Sequence, residues 1–473
     1  MTQQQAIADL VAKPVVARLG EVFAEAGFSL YIVGGPVRDA LLNSASEDLD
    51  FTTNARPDDI ETLLRRLNHV TWDMGRDFGT IGTMLRDGDH SWQIEVTTHR
   101  ADAYEPGTRK PVVAFGDTIE PDLVRRDFTV NAMAVSIPDG VFVDPYGGLE
   151  DLYEQVLRTP AAPEISFSDD PLRMLRAARF AARLGLRPVP EVVRAMTELA
   201  PRLAIVSAER IRDELSKLLL CDAPSVGLNL LVGTGLADVF LPELPALRLE
   251  RDEHHRHKDV YEHSLIVLDQ AIALERARNH QPDLVSRLAA LLHDIGKPKT
   301  RRFEAGGKVS FHHHDMVGSK LVRARLTALR YSKDIIESVS LLVELHLRFH
   351  GYGDGAWTDS AVRRYVRDAG PELERLHILT RSDCTTRNQA KADRLRRAYE
   401  ELEWRIDELA AAEELDSMRP DLDGTEIMRI LGIGPSPVVG KAYKFLLERR
   451  LDRGPVAQDV AEQELRDWWA TQS

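Results

Sequence analysis

Residues 30–42, LYIVGGPVRDALL, set a short apolar run directly before two glycines, followed by the apolar spacing of a helix. The run reads as a buried strand, and Gly34 and Gly35 as the turn. The backbone N–H groups that open the helix are then available to a phosphate, with Arg38 one turn in as counter-charge. A glycine pair between strand and helix also serves as a plain structural joint, so the next segment matters. In SEDLDFTT (46–53), Asp48 and Asp50 lie two apart in a strand and project from one face, while Leu49 and Phe51 point the other way into apolar packing. Two carboxylates on one face repel unless a cation lies between them. Hard oxygen donors of this kind, behind a glycine turn, suit Mg²⁺ bridging substrate phosphates.

Working outward, residues 6–26 carry helical apolar spacing up to Gly27, and strand patterns recur at 80–85, 91–98 and 140–145 around a helical DDIETLLRRL. After YGGLED the strand patterns give way to helical ones as far as Ser473, with breaks near 188, 222 and 243. The chain is therefore expected to be α+β, a head with a small mixed β-sheet and helices followed by an all-α remainder. Residues 395–415, LRRAYEELEWRIDELAAAEEL, read as a solvated helix, and 423–450 as two helices around the turn LGIGPSPVVG.

The 473 residues suggest about three domains. With 61 basic and 75 acidic residues the net charge is −14, so any nucleic-acid surface must be local. A content of 43% hydrophobic and 29% charged residues excludes disorder as the default. Two cysteines, Cys221 and Cys384, with no C-x-x-C pair fit a reduced, cytoplasmic setting. No apolar stretch long enough for a membrane span occurs, and no export signal or membrane partner is expected.

G-G-x-V-R-D followed by D-x-D-F resembles the nucleotidyltransferase head of class II tRNA CCA-adding enzymes and the related bacterial poly(A) polymerases. Further segments match in the same order: HRADAYEPGTRKP (99–111) their flexible loop, LVRRDFTVNAMA (123–134) their R-R-D motif, DDPLRMLRAARFAARL (169–184) their nucleobase-reading helix, and SAERIRDELSKLL (207–219) the helix after it. Arg125 and Arg126 can meet triphosphate or ribose oxygens, and Asp127 can accept from a sugar hydroxyl. Glu95, on the polar face of a strand, either completes an acidic trio or is structural.

In residues 169–187 the arginines 173, 176, 179, 183 and 187 recur at helical spacing and make one basic face, with Arg176 and Arg179 expected on nucleotide or RNA backbone. Asp170 and Arg173 are three apart, an acceptor beside a forked donor. Cytosine and adenine present an amino donor next to a ring-nitrogen acceptor, whereas uracil and guanine present a carbonyl next to N–H, so such a pair accepts the first two. The family motif opens Glu-Asp; here it is Asp169-Asp170, which leaves the role of Asp169 open.

The helical half holds a second constellation: His263, His293 with Asp294, His314, His346 and Asp383, all flanked by apolar helical sequence. Imidazoles and carboxylates converging from separate helices hold divalent transition metals and activate water for phosphoester hydrolysis. LLHDIGK is similar to the HD-superfamily signature, and the order H…HD…H…H…D resembles HD phosphohydrolases with a binuclear site. His312 and His313 compete with His314 for the third position. The metal expected there is Ni²⁺, Co²⁺ or Mn²⁺.

The resemblances divide the chain into a nucleotidyltransferase head (1–155), a helical neck with nucleobase- and RNA-binding helices (156–240), an HD domain (241–390) and a tail contacting tRNA (391–473). They imply template-independent addition of CCA to the tRNA 3′ end from CTP and ATP, with pyrophosphate released. In that reading Asp48 and Asp50 hold the Mg²⁺ ions that serve the 3′-hydroxyl and the triphosphate. The alternatives are a poly(A) polymerase, and an HD nucleotide phosphohydrolase with a regulatory transferase-like head.

Overall fold

The computed structural model describes residues 2–44, 48–68, 70–88, 90–103, 112–249, 259–304, 309–351, 357–384, 389–413 and 419–472. The chain forms two compact units, Met1–Phe240 and Leu241–Ser473.

The first unit is built on strands β1 (Leu30–Val33), β2 (Asp48–Thr53), β3 (Thr71–Gly75), β4 (Thr80–Asp87), β5 (His90–Thr98), β6 (Arg100–Ala103), β7 (Val112–Phe115), β8 (Ala134–Ile137) and β9 (Phe142–Val143). Seven of them form one mixed sheet in the order β3-β4-β5-β2-β1-β8-β9. β2 and β5 run parallel, pairing Asp50 with Glu95, and β1 lies antiparallel to both β2 and β8. The other two, β6 and β7, pair as an antiparallel ribbon rooted at the flexible-loop segment. Residues 104–111 of that segment lie outside the described residues.

The helix read over 6–26 is two helices, Gln3–Val11 and Pro14–Glu25, because Pro14 lacks an N–H and clashes with the preceding turn, so it starts a helix rather than continuing one. Strands β3 and β8 were not legible: β8 is covered on both faces and has no alternation, and β3 is an edge strand with a register shift. The helical half also contains two-residue strand pairs, Val156–Leu157 with Arg187–Pro188 and Arg302–Phe303 with Val309–Ser310. The described part of the segment, 395–413, falls in the helix Gln389–Glu413, which buries Tyr399, Leu402, Ile406 and Leu409 at helical spacing. It is amphipathic rather than solvated all round, and Tyr399 stacks on Phe349 with ring centroids 3.6 Å apart.

The second unit packs helices Val260–Ala277, Leu284–Leu292, His314–Ala328, Lys333–Leu345 and Leu373–Ser382 against one another. A smaller cluster, Leu422, Ile427, Ile430, Ala442, Leu446, Ala461 and Leu465, holds the last three helices together across the LGIGPSPVVG turn. Among the described residues no helix is long and apolar enough to cross a membrane.

Candidate functional site

Period-two alternation along β2 buries Leu49 (0% exposed) and Phe51 (1%) in the core and leaves Asp48 and Asp50 on the opposite face. The parallel register brings Glu95 of β5 beside Asp50, completing an acidic trio whose third member the sequence left open. Asp50 and Glu95 line a cavity of about 360 Å³ together with Arg125, Arg126, Asp127, Asp170, Arg173, Arg176 and Arg210. Burial, reinforced by Glu95 and Asp48, pushes the Asp50 carboxyl up to about 6 against the pull of Arg126 and Arg176. A crowded, partly desolvated carboxylate group of this kind fits a hard divalent cation.

Because a proton and a metal compete for Asp50, Mg²⁺ affinity of the nucleotide-free protein is expected to fall about tenfold per pH unit below pH 6 and to level off above it. Calorimetric titration with Mg²⁺ between pH 5 and 8 measures this. A flat profile would mean that Asp50 does not hold the ion.

The glycine turn is built as a close approach. Gly34 has φ +73°, and a Cβ placed there would lie 2.9 Å from Nη1 of Arg126. Gly35 opens the helix Gly35–Leu41. Arg38, expected as a phosphate counter-charge, is instead 3% exposed. Its Nε and Nη2 donate to Oδ1 of Asp39 (2.8 and 2.6 Å) and its Nη1 to Oδ1 of Asn131 (2.5 Å), so it braces the turn against the R-R-D segment.

Arg125 and Arg126 reach the cavity, anchored from behind by Asp122, which is fully buried and lies 2.6 Å from Arg125 and 3.2 Å from Arg126. Asp127 is held by four donors: Oδ1 accepts from the Phe128 N–H (2.9 Å) and Asn131 Nδ2 (3.0 Å), and Oδ2 from Arg176 Nε (2.8 Å) and Nη2 (2.5 Å). Burial alone would raise its carboxyl, but Arg176 and these bonds hold it down at about 2.

The basic face of the helix Leu172–Leu184 is divided in function. Arg173 faces the cavity. Arg176 bridges Asp127 and Glu214. Arg179, expected on a phosphate, is 7% exposed and donates to Glu214 at 2.7 Å. The reason is the helix Ala208–Leu219 packed alongside, which supplies the Glu214 carboxylate. Asp170 and Arg173 share the cavity and are joined by a backbone bond, the Arg173 N–H donating to the Asp170 carbonyl at 3.0 Å, but their side chains are not bonded to each other. Asp170 accepts from Nη2 of Arg210 at 2.8 Å, while Arg173 donates to Ser166 Oγ at 2.8 Å and to the Arg125 carbonyl. Arg210 and Glu214 were missed in sequence, although their i,i+4 spacing puts them on one helix face.

In the second unit all six expected ligands converge as two groups, His263–His293–Asp383 and Asp294–His314–His346, each with its donor atoms within 4.8 Å of one another. His314 takes the third position, being 8% exposed, whereas His312 and His313 are exposed. Three of the imidazoles are oriented alike. Nδ1 of His293, His314 and His346 meets the carbonyls of Ala290, Phe311 and Val343 at 2.9, 2.8 and 2.6 Å, which aims each Nε2 at the centre. Nε2 of His346 is buried with no hydrogen-bond partner, and Nε2 of His314 lies 3.2 Å from Oδ1 of Asp294. Burial, and then the neighbouring His293, push His346 down to about 4, so it is a neutral lone-pair donor near pH 7. This nitrogen-rich set fits transition metals better than Mg²⁺.

The glycine of the HDIGK segment has a packing reason. A Cβ on Gly296 would lie 2.0 Å from the His314 carbonyl and 2.7 Å from the Gly318 nitrogen, both backbone atoms that cannot step aside. Gly296→Ala is expected to cost ~1–3 kcal/mol and to displace His314. A lower melting temperature together with weakened Mn²⁺ binding checks this; normal binding would place the clash elsewhere.

Residues 30–158 match the poly A polymerase head domain family, 185–247 the probable RNA and SrmB-binding site of polymerase A, and 260–388 the HD domain. The chain is 33% identical over 432 residues to an A-adding tRNA nucleotidyltransferase of Deinococcus radiodurans, covering 89% of this chain and 91% of that protein. It is 40% identical over 227 residues to a CCA-adding enzyme of Levilactobacillus brevis, covering 48% and 54%. The CCA-adding enzyme of Bacillus stearothermophilus, solved in complex with CTP, shares the fold with a TM-score of 0.70 at 23% identity, over 97% of this chain and 98% of that one. The acidic strand pair, the arginine-lined cavity and the HD cluster thus belong to one chain, a member of the tRNA nucleotidyltransferase and poly(A) polymerase family.

Proposed function

We propose that this enzyme adds CCA to the 3′ end of tRNA from CTP and ATP. The observation that carries the reading is the single cavity in which the Asp50–Glu95 acidic pair, the Arg125–Arg126 pair and the Asp170–Arg173 base-edge groups face one another. Asp48, Asp50 and Glu95 would hold Mg²⁺, which when bound supplies charge neutralisation at the triphosphate and activation of the 3′-hydroxyl. Arg125 and Arg126, fixed by Asp122, orient the triphosphate. Arg176, through Asp127, sets the ribose end of the site. The tRNA 3′-oxygen attacks the α-phosphorus, a new P–O bond forms, the bond to the β-phosphate breaks, and pyrophosphate leaves.

The neck and tail helices carry tRNA in this proposal, consistent with the family match of 185–247 to an RNA-binding region. The six-ligand HD cluster would hold a transition-metal pair and hydrolyse phosphoesters, a second activity separate from transfer.

Addition of A alone is the second reading, favoured because the relative matched over nearly its whole length is an A-adding enzyme. Incubation of tRNAs ending before CCA, after C and after CC with CTP, with ATP and with both separates the two. Three added nucleotides on the shortest substrate support CCA addition. Incorporation of ATP only, and only onto the CC end, would make this an A-adding enzyme.

A further inference from the structure

We infer that Arg210 is a positioning residue that sets nucleotide selectivity by holding the carboxylate of Asp170; the inference rests on Asp170 reading the base. Asp170 sits at the joint between the helices Pro163–Asp169 and Leu172–Leu184, in extended backbone with φ −136° and ψ 99°. Both of its oxygens are held, and Arg210 reaches both, its Nη1 lying 3.5 Å from Oδ1. Oδ1 accepts from the Leu172 N–H at 3.1 Å, within its own segment, and Oδ2 accepts from Nη2 of Arg210 at 2.8 Å, forty residues further along the chain. The terminal torsion of an aspartate is broad, so the local bond alone leaves the carboxylate free to swing. Arg210 removes that freedom.

The surroundings distinguish this ion pair from a structural brace. On the same face of the helix Ala208–Leu219, one turn on, Glu214 is a brace: its pair with Arg179 has side chains 5% and 8% exposed, and it locks the helix to Leu172–Leu184. The Arg210–Asp170 pair is 41% and 25% exposed, and both residues line the cavity that contains Asp50. Glu214 therefore fixes the helix, and the fixed helix presents Arg210 to Asp170. The Arg173 side chain does not hold the Asp170 carboxylate: its Nη1 donates to Ser166 and its Nη2 to the Arg125 carbonyl, which leaves its remaining N–H donors for a base edge.

The chemistry follows from what each base edge offers. An oxygen fixed as an acceptor takes the exocyclic amino group of cytosine or adenine while Arg173 donates to the ring nitrogen. The same oxygen repels the carbonyl that uracil or guanine would place there. An oxygen free to swing also accepts from the ring N–H of uracil or guanine, so discrimination falls while the transfer chemistry at Asp48 and Asp50 remains. A pair this exposed contributes little to folding, so removing Arg210 should leave the protein folded.

The test compares wild type, Arg210→Ala, Arg210→Lys, Asp170→Ala and the double alanine variant on tRNA ending in CC and on tRNA lacking CCA. kcat and KM are measured for each of the four nucleotides. Arg210→Ala is expected to raise KM for CTP and ATP with kcat changed only a few-fold, and to lower the preference over UTP and GTP about tenfold, within the ~5- to 150-fold range for an orphaned polar contact. Arg210→Lys, keeping one charged donor, should recover part of the preference. The double variant should be no less selective than Asp170→Ala.

If Asp170→Ala loses selectivity while Arg210→Ala keeps it, the positioning role is wrong and the base-reading role stands. If Asp170→Ala itself keeps selectivity, base reading fails and the inference with it. Slower transfer of all four nucleotides by one factor in Arg210→Ala would make Arg210 a structural residue only. Should Arg210→Ala misfold, unchanged selectivity in Arg210→Lys and in Arg210→Gln would equally overturn the inference.

Discussion

Asp50→Asn is expected to lower nucleotide incorporation by ~10² or more, the scale of losing one major electrostatic contact in the transition state. The same substitution is expected to raise the melting temperature of the metal-free protein at pH 7.5. The folded-state carboxyl sits at about 6, above the unfolded value, so its favourable contribution is complete below pH ~4 and is lost as pH rises through 6. Near neutrality the ionised group beside Asp48 and Glu95 is therefore a liability until a cation binds. Removing its charge relieves on the order of 1–3 kcal/mol, or ~2–4 °C for each of them in a unit of this size. Saturating Mg²⁺ should narrow or reverse the gap, because only the wild type gains binding energy from the ion. Scanning calorimetry of both proteins at pH 5 and 7.5, with and without Mg²⁺, checks the pattern. A variant less stable than wild type at pH 7.5 without metal would mean that the carboxylate is a structural acceptor rather than a strained ligand.

Removal of His293 or Asp294 should have the opposite scope. Each belongs to one of the two ligand groups, and the neighbouring carboxylates and imidazoles depend on both. Hydrolysis of a generic phosphodiester stimulated by Ni²⁺, Co²⁺ or Mn²⁺ is expected to fall ~10² or more in His293→Ala, while Mg²⁺-dependent nucleotide addition stays within about twofold. Asp294→Ala should be more damaging to the unit itself, since it takes a buried carboxylate away from Lys297, 2.7 Å from it, and from the buried His293.

His293 also marks metal entry with a proton. Burial would lower it, but Asp294 and Asp383 raise it to about 10, so without metal it bridges the two carboxylates as a cation. This contribution is complete below the unfolded imidazole value near 6.5 and is lost as pH rises through 10. Metal binding at pH 7 must therefore release about one proton, readable from calorimetric titration in buffers of different ionisation enthalpy. Equal loss of hydrolysis and transfer in His293→Ala would contradict separate centres. No hydrolysis by wild type with any of the three metals would leave the cluster a structural one.

Much of both centres was legible because their ligands obey local periodicity or lie in compact motifs. Alternation in DLDFTT alone separates Asp48 and Asp50 from Leu49 and Phe51, and the structure keeps that division. The HD ligands were legible as residue types embedded in apolar helices. Choosing among His312, His313 and His314 was not, since three adjacent residues point in three directions, and only the helix start at His314 determines which one turns inward.

What the sequence by itself determined was the family order of motifs, the α+β division and the identity of the groups that can carry chemistry. What only the tertiary structure decided was partnership. Glu95 joins Asp50 because β2 and β5 are parallel neighbours although more than forty residues separate them. Arg38 and Arg179 turn from phosphate ligands into buried braces because Asn131 and Glu214 arrive from elsewhere in the chain, Arg38 also engaging its neighbour Asp39. Asp170 pairs with Arg210 rather than Arg173 for the same reason. A periodic pattern records which face a side chain occupies; the charge that meets it there is set by long-range packing, since a buried ion takes whatever counter-ion the fold brings within reach.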